Sequence, residues 1–425
     1  MNIDHQSKAE LAAWLNTLEA DYAALGTRGL ALDLTRGKPS AEQLALSDAL
    51  DGVLAGDYRA ADGTDTRNYG GLYGLTEARS LFGDLLGVPA EETLVGGNAS
   101  LSLMYTTVEL ALTEGLRGPE SAWGNNDTVK FLCPAPGYDR HFAVCQHLGI
   151  EMVSLPMLDT GPDMTLAEQW VSEDATIRGL WCVPRFSNPT GCTYSDETVE
   201  RIAGLARHAA EHFVVMWDNA YAVHALHDEA PPLAPIRDAC LRQGTLDSVF
   251  QFGSTSKITF AGAGVGFVSS SPDNLAALTA HMGFATIGPD KVNQLRHVRF
   301  LRDSDGIHAL MQAHAQILRP KFAAVLDTLE RELGDAGMGS WTTPGGGYFI
   351  SFDTLPGLAR EVVRLAGDIG VKLTPAGATF PYGNDPLDSN IRLAPSFPQL
   401  ADVVATAEAF VLCVKLASVR HRLGQ

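Results

Sequence analysis

The feature that most constrains this chain is an alternation in its middle. Short apolar runs recur with helix-patterned stretches between them: Val129-Lys130-Phe131-Leu132-Cys133, Gly179-Leu180-Trp181-Cys182-Val183, Phe213-Val214-Val215-Met216-Trp217 and Ser248-Val249-Phe250-Gln251-Phe252. Such runs are too short for buried helices and too continuously apolar for half-exposed strands, so they read as strands covered on both faces. Between the second and third, a helix is expected from near Ser195, with Val199, Ile202, Leu205 and Ala209 on one face. Strand–helix–strand alternation implies an α/β fold with a mostly parallel central sheet flanked by helices. Sheets of this kind bind ligands beyond the carboxyl ends of their strands.

The flanks have a different pattern. Residues 8–25 place Leu11, Trp14, Leu15, Leu18 and Tyr22 at helical spacing. From about residue 305 a long helical stretch (307–333) leads to a strand-like run at 347–352, another helix, a Pro/Gly-rich loop at 375–388, a strand at 391–393 and a final helix. The expected organisation is a large domain over 56–304 and a smaller α/β domain over 305–425, with an N-terminal segment, 1–55, joining the small one. A length of 425 residues, 45% of them hydrophobic, supports two cores.

Charge narrows the choice of partners. Fifty acidic against 31 basic side chains give a net charge of −19, which repels phosphate backbones and argues against nucleic acid and anionic membranes. No apolar run approaches the roughly 18–20 residues of a membrane helix, and the start of the chain shows no secretory pattern. The six cysteines form no C-x-x-C pair, and the 12 histidines have no metal-site spacing. The expected compartment is the cytoplasm, with no metal.

The strand ends carry the chemistry. Cys133 leads into Pro136-Gly137-Tyr138, and Val183 into Asn188-Pro189-Thr190-Gly191. Trp217 leads into Asp218-Asn219-Ala220-Tyr221, and Phe252 into Gly253-Ser254-Thr255-Ser256-Lys257. One lysine, one aspartate, one asparagine, two tyrosines and a serine pair would then meet on one rim. Gly96-Gly97-Asn98-Ala99-Ser100 precedes an apolar helix, whose first amides suit an anion. The glycines at 262, 264 and 266 lack the G-x-G-x-x-G spacing of a dinucleotide loop, and Phe267-Val268 after them reads as a strand.

These motifs, in this order, resemble the fold-type-I, class I aminotransferases that use pyridoxal 5'-phosphate (PLP). Asn188-Pro-Thr-Gly, Asp218-x-x-Tyr221, Ser254-x-Ser256-Lys257 and Asn390-Ile391-Arg392 carry the resemblance over nearly the whole chain. Leu34-Thr35-Arg36-Gly37-Lys38-Pro39 and Asn68-Tyr69-Gly70-Gly71-Leu72-Tyr73-Gly74 are similar to bacterial aspartate aminotransferases of subgroup Ic.

The resemblance implies a role for each residue. Lys257 would hold the cofactor covalently and, once released, move the substrate's α-proton. Asp218 would face the pyridine nitrogen, and Tyr221 and Asn188 the phenolic oxygen. Tyr138 would stack on the ring. Gly97, Asn98, Ala99, Ser100, Ser254 and Ser256 would surround the phosphate, joined by Tyr69 from the second subunit of a homodimer. Arg392 would take the substrate's α-carboxylate through a planar fork, with help from Asn188 and the Gly37 amide.

Two positions stay open. The family commonly has an arginine in a Gly-x-Arg-x-Gly setting after the lysine, and here Gly264 stands at that place. Candidates for a distal carboxylate are Arg36, Lys38, Arg140, His281 and Lys291. The implied reaction is ping-pong amino transfer from an L-amino acid, aspartate first, to a 2-oxo acid such as 2-oxoglutarate. Kynurenine, alanine or aromatic donors, a lyase or decarboxylase reaction, and an aminotransferase-like sensing domain of a transcription regulator remain alternatives.

Overall fold

The computed structural model describes residues 2–425. Its centre is an eight-stranded sheet in the spatial order Thr93–Val95, Gly266–Ser269, Val249–Ser254, Val214–Asp218, Ile177–Cys182, Lys130–Ala135, Glu151–Leu158 and Gly161–Pro162. The strands from Val249–Ser254 through Glu151–Leu158 are mutually parallel. Gly266–Ser269 runs antiparallel to both its neighbours, and Gly161–Pro162 caps one edge antiparallel.

Alternation along each strand explains the helices on both faces. Phe131, Cys133, Trp181, Val214 and Met216 point into one apolar layer, with Leu103, Met104 and Val108 from the helix Ser100–Thr113. Leu132, Leu180, Cys182, Val215 and Trp217 point into the opposite layer, with Val199 and Ile202 from the helix Asp196–Gly204. Successive side chains of a strand face opposite sides, so continuous apolar runs require cover on both. The parallel strands end on one rim, which opens toward Tyr138, Asn188, Tyr221 and Lys257.

A second assembly contains the antiparallel sheet Gly339–Trp341, Ile350–Thr354 and Asn390–Leu393. The helix Lys8–Gly26 lays Leu11, Leu15 and Leu18 into the same core as Val403, Phe410 and Val414 of the helix Leu400–Leu423. Leu32–Asp33 pairs in parallel with Val371–Lys372. Among the described residues no helix is long and apolar enough to cross a membrane.

Three expected elements differ in extent. The helix after Ser195, whose side chain accepts the Thr198 amide at 3.1 Å, ends at Gly204 and tightens into a 3-10 turn over Leu205–Arg207, so Ala209 lies beyond it. The run at 347–352 enters its sheet only at Ile350, because the Gly347 amide bonds the His224 carbonyl at 2.9 Å instead of a neighbouring strand. The helix expected at 307–333 begins at Ser304, capped by Asp303, and continues through Pro320 to Leu333.

Candidate active site

Lys257 follows the strand Val249–Ser254 and sends its Nζ over the Tyr221 ring, 4.9 Å from the centroid. The residue is half-covered and open to the cleft, but surrounding protein withholds solvation. Burial therefore pulls the ammonium down from its ordinary value, and nearby Asp218 only partly restores it. A lysine in this setting spends more time as a nucleophilic amine.

Asp218, 2% exposed, ends the neighbouring strand Val214–Asp218. His141 Nε2 lies 3.0 Å from its Oδ2, while Oδ1 is buried with no partner in the protein. A buried carboxylate oxygen without a donor is costly. Asp218 Oδ1 therefore has the capacity to accept one more N–H. The His141 ring stacks on Trp181 at 4.3 Å and 10°, which fixes its plane.

Tyr138 precedes the helix Asp139–His147 and meets the His141 ring edge-on at 4.9 Å. Burial, with Asp218 and Asp139 nearby, holds the Tyr138 phenol well above its ordinary value. Burial does the same for Tyr221, with Tyr138, Tyr348 and Asp218 nearby. Both stay neutral and able to donate.

Arg392 lies in the strand Asn390–Leu393 with its side chain 8% exposed. Its Nη1 donates to Asn188 Oδ1 at 3.2 Å and to Asp139 Oδ1 at 2.9 Å, and its Nε is buried without a partner. The guanidinium carbon sits 4.9 Å over the Phe349 ring. Gly37 presses on that ring: a Cβ there would stand 2.1 Å from Phe349 Cζ. Glycine is favoured because the main chain comes this close to the ring on which Arg392 also packs.

The loop before the helix Ser100–Thr113 approaches the serines. The first turn of that helix contains no acidic residue, and Ala99 supplies no side-chain cap, so its leading amides are left for an anion. Ser254 Oγ donates to Ser256 Oγ at 3.1 Å. A Cβ at Gly264 would stand 3.2 Å from both the Asn98 carbonyl and the Ser256 amide nitrogen, and one at Gly266 would stand 2.8 Å from the Ala99 carbonyl. A side chain at 264 would make the turn and the Asn98 carbonyl give way by a few tenths of an ångström.

The chain's own site lacks some of the singled-out residues. Tyr69 is 79% exposed and its side chain has no hydrogen bond. His281 is engaged by Glu114 at 2.8 Å and Glu109 at 3.5 Å. Lys291 is buried and donates to the Gly70 carbonyl. Arg140 is exposed, in a hollow with Leu101, Tyr105 and His147. Arg36 and Lys38 are exposed on either side of Gly37, Lys38 with its Nζ 3.9 Å over Phe397. A separate cavity of about 550 Å³, lined by Arg185, Ala222, His227 and Met311 among others, contains none of the singled-out groups. Chemistry, not volume, marks the site.

The structure adds a set that motif reading missed, a buried grip on the main chain around Lys257. His224 Nε2 lies 3.2 Å from the Lys257 carbonyl, and His314 Nε2 3.0 Å from the Ile258 carbonyl. Thr259 Oγ1 lies 2.8 Å from His297 Nε2. Gln43 Nε2 reaches both His314 Nδ1 and the Tyr348 hydroxyl at 3.0 Å, and that hydroxyl faces the Lys257 carbonyl at 3.4 Å. Burial holds His224 down at about 3 and His297 at about 4, so both rings are neutral. His141 was within reach of the sequence, three residues after Tyr138 in the first turn of the helix, where its amide donates to the Tyr138 carbonyl at 3.1 Å. The grip was not, because its members come from unrelated parts of the chain.

Known proteins share the sequence and fold of this chain. A Mycolicibacterium smegmatis protein is 48% identical over all of both chains. The aspartate aminotransferase of Corynebacterium glutamicum is 44% identical over 95% of this chain and 93% of its own. An aspartate transaminase structure from C. glutamicum superposes with a TM-score of 0.96 at 42% identity, covering 99% of each chain. The α-aminoadipate aminotransferase of Thermus thermophilus, complexed with N-(5'-phosphopyridoxyl)-L-leucine, shares the fold at TM-score 0.73 and 22% identity. The family model described as aspartate amino-transferase matches residues 6–425, and the chain belongs to that family.

Proposed function

We propose that the protein is a PLP-dependent aminotransferase of fold type I, subgroup Ic, that moves the amino group of L-aspartate to 2-oxoglutarate. The observation that carries this reading is the buried, partnerless Oδ1 of Asp218, with Lys257 nearby and Arg392 held beside Asn188. The residues fit the cofactor. Asp218 offers its free oxygen to a ring N–H, Tyr221 and Asn188 offer donors to a phenolic oxygen, and Tyr138 offers a ring face. The amides after Ala99 and the hydroxyls of Ser254 and Ser256 offer donors to a phosphate. A phosphopyridoxyl group bound to a relative of the same fold supports the same assignment.

When bound, PLP supplies an electron-accepting ring that makes the substrate's Cα–H acidic. The chain's residues do the rest. Arg392 orients the α-carboxylate through the edge that holds its free Nε. Asn188 accepts from Arg392 through Oδ1, which leaves its amide group free to donate. Lys257, with its ammonium weakened by burial, takes the α-proton and returns it. Arg36 and Lys38, flanking Gly37, are the cations placed to meet a distal carboxylate. Exposed Tyr69 supports a homodimer in which it serves the other subunit's phosphate. The pairing of Leu32–Asp33 with Val371–Lys372 supports a division into 56–304 and 305–425, with 1–55 joining the smaller unit.

The test is half-reaction kinetics with L-aspartate, L-alanine, L-kynurenine and aromatic donors, followed by regeneration with 2-oxoglutarate. Aspartate is expected to react fastest. If alanine matches it, the dicarboxylate assignment is wrong.

A further inference from the structure

Arg392 holds a carboxylate supplied by the chain itself. Its Nη1 donates to Asp139 Oδ1 at 2.9 Å, and the two side chains are 8% and 39% exposed. Asp139 is the first residue of the helix Asp139–His147. Its attachment is one-ended. Nη1 is shared between Asp139 and Asn188, while Nε is buried with no partner. A bidentate carboxylate needs two adjacent N–H groups, and Asp139 uses only one. The contact neutralises the guanidinium and leaves its other edge for a ligand.

We propose that Asp139 is an internal carboxylate that weakens carboxylate binding at Arg392 and so sets the affinity threshold of the site. A ligand carboxylate has two ways in. It can displace Asp139 from Nη1, exchanging one carboxylate for another, or it can occupy the free edge beside a like charge. Either way the net attraction is less than a buried, uncompensated guanidinium would give. A ligand with a single carboxylate gains little. One that finds further contacts elsewhere in the cleft retains enough surplus to bind.

This inference rests on the reading of Arg392 as the carboxylate anchor, and the test separates the two. Succinate and propionate, which cannot react, are titrated by calorimetry into the PLP-loaded wild type, Asp139→Asn, Asp139→Ser and Arg392→Gln. Asp139→Asn keeps an acceptor for Nη1 but removes the charge. It is expected to tighten both ligands by about tenfold, a moderate value for one neighbouring charge. Asp139→Ser, which keeps a residue suited to a helix start, should tighten them in the same direction. A purely structural Asp139 would weaken or leave unchanged both ligands in both variants, and that result overturns the proposal. In that case, loss of succinate binding in Arg392→Gln leaves the functional reading standing. Unchanged binding in Arg392→Gln overturns both.

Discussion

His141 Nε2 stands 3.0 Å from Asp218 Oδ2, with both side chains 2% exposed and the imidazole stacked on Trp181. The histidine therefore holds one oxygen of the carboxylate in place, while the other is buried without a partner in the protein. His141→Ala removes that anchor and strands a second carboxylate oxygen without a donor. Loss of a buried, charge-assisted hydrogen bond is worth roughly 1.5–3 kcal/mol, so PLP affinity should weaken by about 10- to 100-fold. Titration of apoprotein with PLP, followed by absorbance, measures it.

On the proposed reading, Lys257→Ala removes the amine that would bind the cofactor and move the proton. Turnover is expected to fall at least about 10²–10⁴-fold, the usual contribution of a positioned base. PLP should then come off on gel filtration. A variant with wild-type rates would end the proposal for this residue.

Gly37→Ala puts a methyl group where Phe349 Cζ already stands, 2.1 Å away. Ring and loop must separate, and the ring also lies under Arg392. The expected result is a raised KM for amino acid and oxo acid alike, by about tenfold, with PLP affinity less affected because the atoms nearest the new methyl all belong to Phe349. Steady-state kinetics and PLP titration together check the split.

Acid should act on the buried histidines. Burial lowers His224 to about 3 and His297 to about 4, against about 6.5 in an unfolded chain. The unfolded chain binds protons more readily, so the stabilisation is fully present above about pH 6.5 and drains as pH falls toward 4 and then 3. At pH 5 the loss is about 2 kcal/mol per histidine. Urea unfolding at pH 7.5, 6 and 5 should show this slope, and His297→Gln should flatten it.

Four strands of the sheet were legible because their runs are apolar on both faces and each leads into a distinctive polar stretch, whereas Glu151–Leu158 alternates buried and exposed residues and lacks that signal. Asp218, Asn188, Tyr221 and Lys257 follow strands directly, so strand topology alone brings them to one rim. Extents were less legible. The run at 347–352 has the composition of a strand, yet Gly347 spends its amide on His224, a contact no local pattern reveals. The gap at Gly264 was visible in the motif, but the loop around Asn98 that packs on it was not. Asp139 drew no notice because an acidic residue at a helix start is ordinary. Its significance comes from a partner 253 positions away.

The grip on residues 257–259 makes reactivity a late acquisition. Gln43, His224, His297, His314 and Tyr348 must all be seated before that stretch of main chain is pinned, and they come from both ends of the polypeptide as well as its centre. The large sheet needs few of them. Mild denaturant that loosens the helix Ser304–Leu333 should therefore silence the enzyme while its far-ultraviolet dichroism is still nearly intact. Activity, in this protein, is a finer gauge of nativeness than secondary structure.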